Sequence, residues 1–177
     1  MRRWPILLLI LVILITGMGC TPKAAQPEKP VNFYYPAVTT VYDGKTPVIQ
    51  PEIRDGVGYE GGIAGLISLY LKGPSSDTLR SPFPQGVSVI RFSSTSNTAT
   101  LELSQEFSQL SGIDLTLACA CIANTLFDLT ELDRVQIFAA DSQLDGQASI
   151  SLDRDDIYYM DDPTAGEAPA ETTATSQ

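Results

Sequence analysis

The segment from Ile63 to Leu71 contains apolar residues at helical spacing. Between Ile63 and Leu71 they lie three, four, seven and eight positions apart, which places them on one face of a helix. Lys72, Gly73 and Pro74 follow directly. Glycine readily adopts the left-handed cap and proline cannot continue a helix, so the sequence predicts that the helix ends here.

A second apolar stripe with helical spacing begins after Ser111 and predicts a longer helix. Its members are Leu115, Ala118, Cys119, Ile122, Leu126 and Leu129. The segment Ser111–Asp114 has the form of a capping box at the start of this helix. For the first helix, we expect the cap to come from Asp55 or a residue near it.

Alternating or β-branched segments predict five strands. These are Val31–Tyr35, Val48–Arg54, Val87–Phe92, Thr98–Leu103 and Val135–Ala140, with weaker indications at Leu144–Leu152 and Ile157–Met160. The alternation from Thr98 to Leu103 indicates one buried face and one solvated face, and it favours an antiparallel hairpin with the preceding strand. The order of elements predicts an α+β fold, in which two helices pack on one face of a small mixed sheet. The residues expected in its core are Leu66, Leu71, Leu101, Leu126 and Ile137.

The first 20 residues have the form of a secretory signal. Two arginines precede an apolar run from Trp4 to Ile15, and small residues lead to Cys20. The cysteine makes the segment similar to a bacterial lipoprotein signal, in which Cys20 would become the lipidated N-terminus. Gly17 departs from the aliphatic residue usual three places before that cysteine, so an uncleaved signal anchor stays open. Either way, we expect the remaining chain on the extracytoplasmic face of the cell membrane.

Composition divides the chain after residue 20 into three parts. Residues 21–30 contain three prolines and no large apolar residue, which predicts a flexible tether. Residues 31–162 have the length of one domain. Residues 163–177 are rich in Pro, Ala, Thr and acidic residues, which predicts a disordered acidic tail.

Charge and motif content exclude several classes of function. The formal net charge is −10 and the chain has no histidine, so nucleic acid is not an expected partner. Nucleophile-elbow, phosphate-loop and zinc motifs are absent from the sequence, so we expect no cofactor and no catalytic residue. Carboxylates alone can hydrolyse glycosidic bonds, but a domain of this size rarely builds the cleft that this chemistry needs.

Two groups of residues resemble metal sites, but their surroundings favour structural roles. Cys119 and Cys121 are two positions apart on a helix and therefore point to nearly opposite sides, so we expect buried, inert thiols and no metal. An acidic run surrounds Tyr158 and Tyr159 and consists of Asp153, Asp155, Asp156, Asp161 and Asp162. It lacks the spacing of a calcium loop, so a solvated acidic edge is the favoured interpretation, with calcium as the alternative. The two tyrosines either cover the rim of the core or bind a sugar.

Several short motifs occur in one order between the first helix and residue 147. They are Leu69-Tyr70-Leu71-Lys72-Gly73-Pro74, then Leu79, Ser81, Pro82 and Pro84-Gln85-Gly86, then Leu101-Glu102-Leu103-Ser104 with Glu106-Phe107, then Thr125-Leu126, Val135-Gln136-Ile137 and Asp145-Gly146. This series resembles the GerM domain family over about Val31 to Gln147. Glu102 stands where the family commonly has Asp, and the two nearby cysteines are not a family feature.

The resemblance implies an envelope protein linked to sporulation or spore germination. It also implies a compact α+β unit similar to the ring-building motif of secretion-type assemblies. We therefore expect a non-enzymatic, membrane-tethered lipoprotein whose partners are other envelope proteins or the cell wall. The alternative is a peptidoglycan-binding module.

The loop from Ser81 to Gly86 is the candidate interaction site. Pro82 and Pro84 stiffen it and Phe83 is its one large apolar side chain, so docking on a partner would lose little backbone entropy. In the competing interpretation, Phe83 folds back over the first helix.

Overall fold

The computed structural model describes residues 27–39, 47–57 and 61–157. The strands are β1 (Pro30–Pro36), β2 (Ile49–Asp55), β3 (Val89–Thr95), β4 (Thr98–Leu103), β5 (Arg134–Ala139) and β6 (Ile150–Asp153). The α-helices are α1 (Gly62–Tyr70) and α2 (Gly112–Leu129), and short 3-10 helices span Gln105–Gln109 and Arg154–Asp156. The predicted signal, most of the tether, Tyr158, Tyr159 and the acidic tail lie outside the described residues.

Four of the strands form one mixed sheet in the order β3-β4-β5-β6. β3 and β4 pair antiparallel as predicted, β4 and β5 pair parallel, and β5 and β6 pair antiparallel. A parallel pair needs a long connection, and here α2 supplies it. The α+β class and the mixed sheet are confirmed. β1 and β2, however, form a separate antiparallel pair.

The core lies between this sheet and the helices. One face of β4 consists of Ala99, Leu101 and Leu103, which are fully buried as their alternation predicts. Val135 and Ile137 lie beside the first two of these in the β4–β5 register and are buried too. The helices cover this face, since α1 contacts β3 and α2 contacts β5 and β6.

Helix α2 has the sheet on one side and β1 on another. Its residues Cys121–Phe127 are all buried in sequence, which requires cover around the full circumference of the helix. By length and hydropathy alone α2 could cross a membrane, but 56% of its 18 residues are buried inside the fold. We therefore assign it as a core helix.

The stripe of α1 faces the core, with one correction to the predicted core. Ile67 and Tyr70 are buried at its centre, while Leu66 lies at its flank and is only half-buried. The expected cost of Leu66→Ala therefore falls to the lower end of the range for core truncations, about 2 kcal/mol. Gly73 adopts a φ of 93°, as the predicted end of this helix requires.

Neither predicted side-chain cap forms, although Ser111 does occupy the N-cap position of α2. The N-cap of α1 is Gly61 in a left-handed conformation, and Asp55 instead accepts a hydrogen bond from the Val57 N–H at 3.0 Å. Ser111 precedes α2, but its side chain makes no capping bond. The Asp145 carboxylate accepts from the Gly112 N–H at 2.7 Å, so the cap of α2 comes from a loop 33 residues away.

The C-terminal end of α2 is held by Arg154, which lies near the C-terminal end of the domain. The Arg154 guanidinium donates to three backbone carbonyls, those of Phe127, Thr130 and Leu132, at 3.2, 3.3 and 2.7 Å. It also lies 4.7 Å from the centroid of the Phe127 ring. A cation placed at this end also matches the helix dipole.

The later strand predictions are partly wrong. β3 begins at Val89, two residues after the predicted start. Within the predicted strand Leu144–Leu152, a tight turn occupies Leu144–Gln147 and only Ile150–Asp153 forms a strand. Ile157 is not in a strand, and residues 158–160 lie outside the described residues.

Candidate interaction site

The Ser81–Gly86 loop follows α1 and is fixed at its start to the end of β1. Leu79 forms an isolated antiparallel bridge with Ala37, and the Arg80 N–H donates to the Pro36 carbonyl at 2.9 Å. These backbone bonds hold the loop against the β1–β2 pair, so its position does not depend on proline stiffness alone.

The aromatic ring of the loop packs on the last residue of α1. Phe83 is half-buried, and its ring meets that of Tyr70 edge to face, with 5.0 Å between centroids. Pro82 is buried and Pro84 is half-buried. The Phe83 N–H donates to the Ser81 hydroxyl at 3.2 Å. The ring therefore rests on α1 while part of its surface stays accessible.

Tyr70 supports this ring through contacts with β1. Its ring centroid lies 4.9 Å from that of Tyr35 and 5.3 Å from that of Phe33. Two hydrogen bonds join α1 to β1 here. The Tyr35 hydroxyl donates to the Tyr70 carbonyl, and the Tyr70 hydroxyl donates to the Tyr34 carbonyl, both at 2.7 Å. Burial raises the pKa of both phenols, so both remain neutral donors.

Two charged residues of β2 hold the segment between α1 and the loop. The Glu52 carboxylate accepts from the Ser75 N–H at 3.0 Å, and the Arg54 guanidinium donates to the Gly73 carbonyl at 3.0 Å. The two side chains also pair at 2.8 Å, with only 19% and 12% of their surfaces exposed. The sequence patterns described above indicated neither residue. One pattern could have indicated them: residues two apart on a strand share a face, so opposite charges at positions 52 and 54 of a predicted strand predict an ion pair.

The loop forms a ridge between two grooves. Groove A, about 610 Å³, lies between the end of α1 at Leu71 and Lys72, the loop, and the start of β3 at Val87–Val89. Groove B, about 320 Å³, lies on the other side, between Arg80, the loop and the first turns of α2. Phe83 and Pro84 line both grooves. Of the three residues predicted as an interaction site, Phe83 and Pro84 therefore border both grooves, while Pro82 is buried and lines groove B alone.

The charge of this surface differs from that of the rest of the molecule. Arg54, Arg91, Arg134 and Arg154 each form an ion pair. Among the described residues the remaining cations are Lys29, Lys72 and Arg80, whose side chains pair with no described carboxylate. Two of these three line the grooves.

The other residues weighed from the sequence do not assemble into a site. Cys119 and Cys121 are buried as expected, and burial raises the pKa of the Cys119 thiol to about 12 and that of Cys121 further. Asp153 pairs with Arg134. Within the part of the chain that the structure describes, no group of cysteines and carboxylates is placed to hold a metal. Cys20, Asp161 and Asp162 lie outside that part.

Comparison with known proteins identifies the family of this fold. The family model described as "Germane: Sporulation and spore germination" matches residues 32–145. The chain belongs to the Germane family. This confirms the resemblance seen in the sequence and makes the domain a sporulation- and germination-related module, from a family that is not a known enzyme family. No curated protein sequence matches the chain.

Two solved structures are similar to this Germane domain. The tandem GerMN domains of the sporulation protein GerM from Bacillus subtilis are 20% identical with a TM-score of 0.51, and the match covers 69% of this chain and 44% of that one. A candidate lipoprotein from Clostridium perfringens is 18% identical with a TM-score of 0.40, covering 72% of this chain and 90% of that one. The chain thus spans less than half of the tandem GerM structure, and that likeness supports the fold.

Proposed function

We propose that this Germane protein is a non-catalytic, lipid-anchored protein of the cell envelope that binds other envelope proteins during sporulation or spore germination. The observation that carries the proposal is the pair of grooves A and B, which lie on the two sides of the Ser81–Gly86 loop and share Phe83 and Pro84. An aromatic side chain held in a two-proline loop presents contact area at low entropic cost, as binding sites commonly do.

The arrangement around the ridge supports binding rather than catalysis. Phe83 rests on Tyr70, which is itself fixed to β1, so the contact surface is formed before a partner arrives. The grooves are lined mainly by apolar and hydroxyl side chains, and the one carboxylate among them is Asp114. A lone carboxylate without a partnered acid or base does not suit hydrolysis.

Partner binding is tested with Phe83→Ala in the full chain. Wild type and variant are expressed in the protein's own host and crosslinked, and the amounts of partner protein captured with each are compared. Truncation of a central aromatic anchor costs on the order of 2 kcal/mol, which is about a thirtyfold loss of association. Ile53→Ala is the matched control, because Ile53 is an exposed apolar side chain on β2 rather than in the loop. Equal capture by both variants would remove the ridge from the proposal.

The wall-binding alternative is tested with isolated sacculi. Retention of the wild-type chain, reversed by added muropeptides and unaffected by Phe83→Ala, would replace the proposal with a peptidoglycan-binding module.

The anchor is tested with Cys20→Ala. In the proposed lipoprotein, this variant loses labelling by a fatty-acid probe and leaves the membrane fraction, while the neighbouring Thr21→Ala variant keeps both. Unchanged labelling of the Cys20 variant would contradict lipidation at that residue.

A further inference from the structure

We propose that groove A binds an extended, acidic peptide segment of a partner protein, which adds to the free edge of β3. This inference rests on the proposed protein-binding function and assigns the chemistry of the partner.

The first observation is the position of β3 at the edge of the four-stranded sheet. β4 pairs with one side of it, and within the described residues no strand pairs with the other. The Ser88 carbonyl accepts from the Ser104 N–H at 2.9 Å, and the Ser88 N–H donates to the Ser104 hydroxyl at 3.0 Å. The next residue, Val89, lies opposite Leu103, and its backbone groups point away from β4 because their direction alternates along a strand; the register then shifts between Val89 and Arg91. Val89 lines groove A.

The second observation is the apolar floor of groove A. Leu71, Phe83, Val87 and Val89 line it, and Ile90, directly beyond it on β3, is 57% exposed. An added strand presents every second side chain to one face. A segment with alternating apolar residues would therefore place them on this floor while its backbone pairs with β3, as in other complexes formed by strand addition.

The third observation is charge. Groove A is lined by Lys72 and by no carboxylate, and Arg80 lies on the far side of the ridge in groove B. The described residues as a whole carry 15 acidic and seven basic side chains. The positive charge of Lys72 attracts acidic side chains of a partner segment. A basic segment would instead be attracted to the acidic remainder of the surface, so groove A favours an acidic partner.

These features favour a peptide over an anionic wall polymer. A polyphosphate chain gains its affinity from several cations along its length, whereas groove A offers one. A peptide can use the backbone of β3 and the apolar floor, which a polyphosphate cannot.

The test uses the purified full chain in detergent and a library of random 12-residue peptides displayed on phage. We expect the selected peptides to be enriched in Asp and Glu at alternate positions. A synthetic copy of the best peptide, followed by fluorescence anisotropy, should bind about three- to fivefold more weakly to Lys72→Gln. The Lys29→Gln variant removes the same charge from an exposed, unpaired lysine outside both grooves and should bind normally. Methylation of alternate backbone nitrogens in the peptide should weaken binding at least tenfold.

Selection of peptides without an acidic excess, equal effects of the two lysine variants, or full binding of the methylated peptide would each overturn the inference. Retention by teichoic-acid-containing sacculi that depends on Lys72, with no peptide selected, would assign the groove to an anionic polymer instead. The proposed function is judged separately, because partner capture that is lost in Phe83→Ala but kept in Lys72→Gln leaves it standing while this inference fails.

Discussion

Phe83→Ala separates the two roles that a ring in this position can have. Truncating a fully buried Phe costs about 3–5 kcal/mol. Phe83 is only partly buried, so the expected loss lies below that range, at about 2 kcal/mol, including the edge-to-face contact with Tyr70, which is worth about 0.5–1.5 kcal/mol. For a domain of this size, 2 kcal/mol lowers the melting temperature by about 6–10 °C.

The assay is thermal and urea unfolding of the full chain and its variant, followed by circular dichroism. Phe83→Leu serves as the matched variant, because it keeps apolar volume but removes the ring edge that meets Tyr70, and it should cost about 1 kcal/mol. A loss above about 3 kcal/mol for the alanine variant would mean that Phe83 is a core lid and would leave the ridge without its anchor. A loss below about 0.5 kcal/mol would refute the packing of the ring on α1, since the contact would then contribute almost nothing to stability.

Three further outcomes follow from contacts elsewhere in the domain. Asp145→Ala should destabilise the fold by about 0.5–2 kcal/mol in urea unfolding because it removes the cap of α2, whereas Ser111→Ala should change little because that side chain makes no capping bond. The hydrogen bond from Arg134 lowers the pKa of Asp153 below its ordinary 3.8. The Asp153 carboxylate therefore stabilises the fold above that pH, and this stabilisation is lost as the pH falls through the folded-state pKa. The difference in stability between wild type and Asp153→Asn should accordingly shrink in acid unfolding curves. Cys119 and Cys121 should resist a thiol reagent such as DTNB in the native chain and react on unfolding, and fast reaction of either of these two thiols in the native chain would contradict their burial.

Sequence patterns predicted the features that depend on local spacing. The alternation in β4 identified its buried face, and the stripe from Leu115 to Leu129 identified α2, because each pattern reports which side of an element avoids water. The ends of α2 could not be predicted in the same way. Asp145 and Arg154 supply its caps from 33 and 27 residues away, and only the tertiary fold brings them there.

The candidate site shows the same limit. Two prolines around Phe83 predicted a stiff loop, since proline restricts its own backbone and that of its neighbour. The direction of the ring could not be read from the loop, because it depends on Tyr70, which belongs to α1 and is placed by β1. The grooves likewise form only where α1, the loop and β3 meet.

The attachment of β1 to α2 has a consequence for the order in which the chain folds. The Tyr34 N–H donates to the Thr125 hydroxyl and the Asn32 amide donates to Asp128, across 91 and 96 residues. A two-stranded hairpin is at best marginally stable alone. During synthesis β1 and β2 emerge first, yet α2, which packs on β1, is completed much later.

Contacts of such long range slow folding, because a large loop must close before they form. Until then both the aromatic face of β1 and the apolar circumference of α2 remain unprotected against aggregation. We therefore expect this chain to need a holding chaperone between synthesis and folding, and truncation before residue 129 should leave even its N-terminal hairpin unfolded.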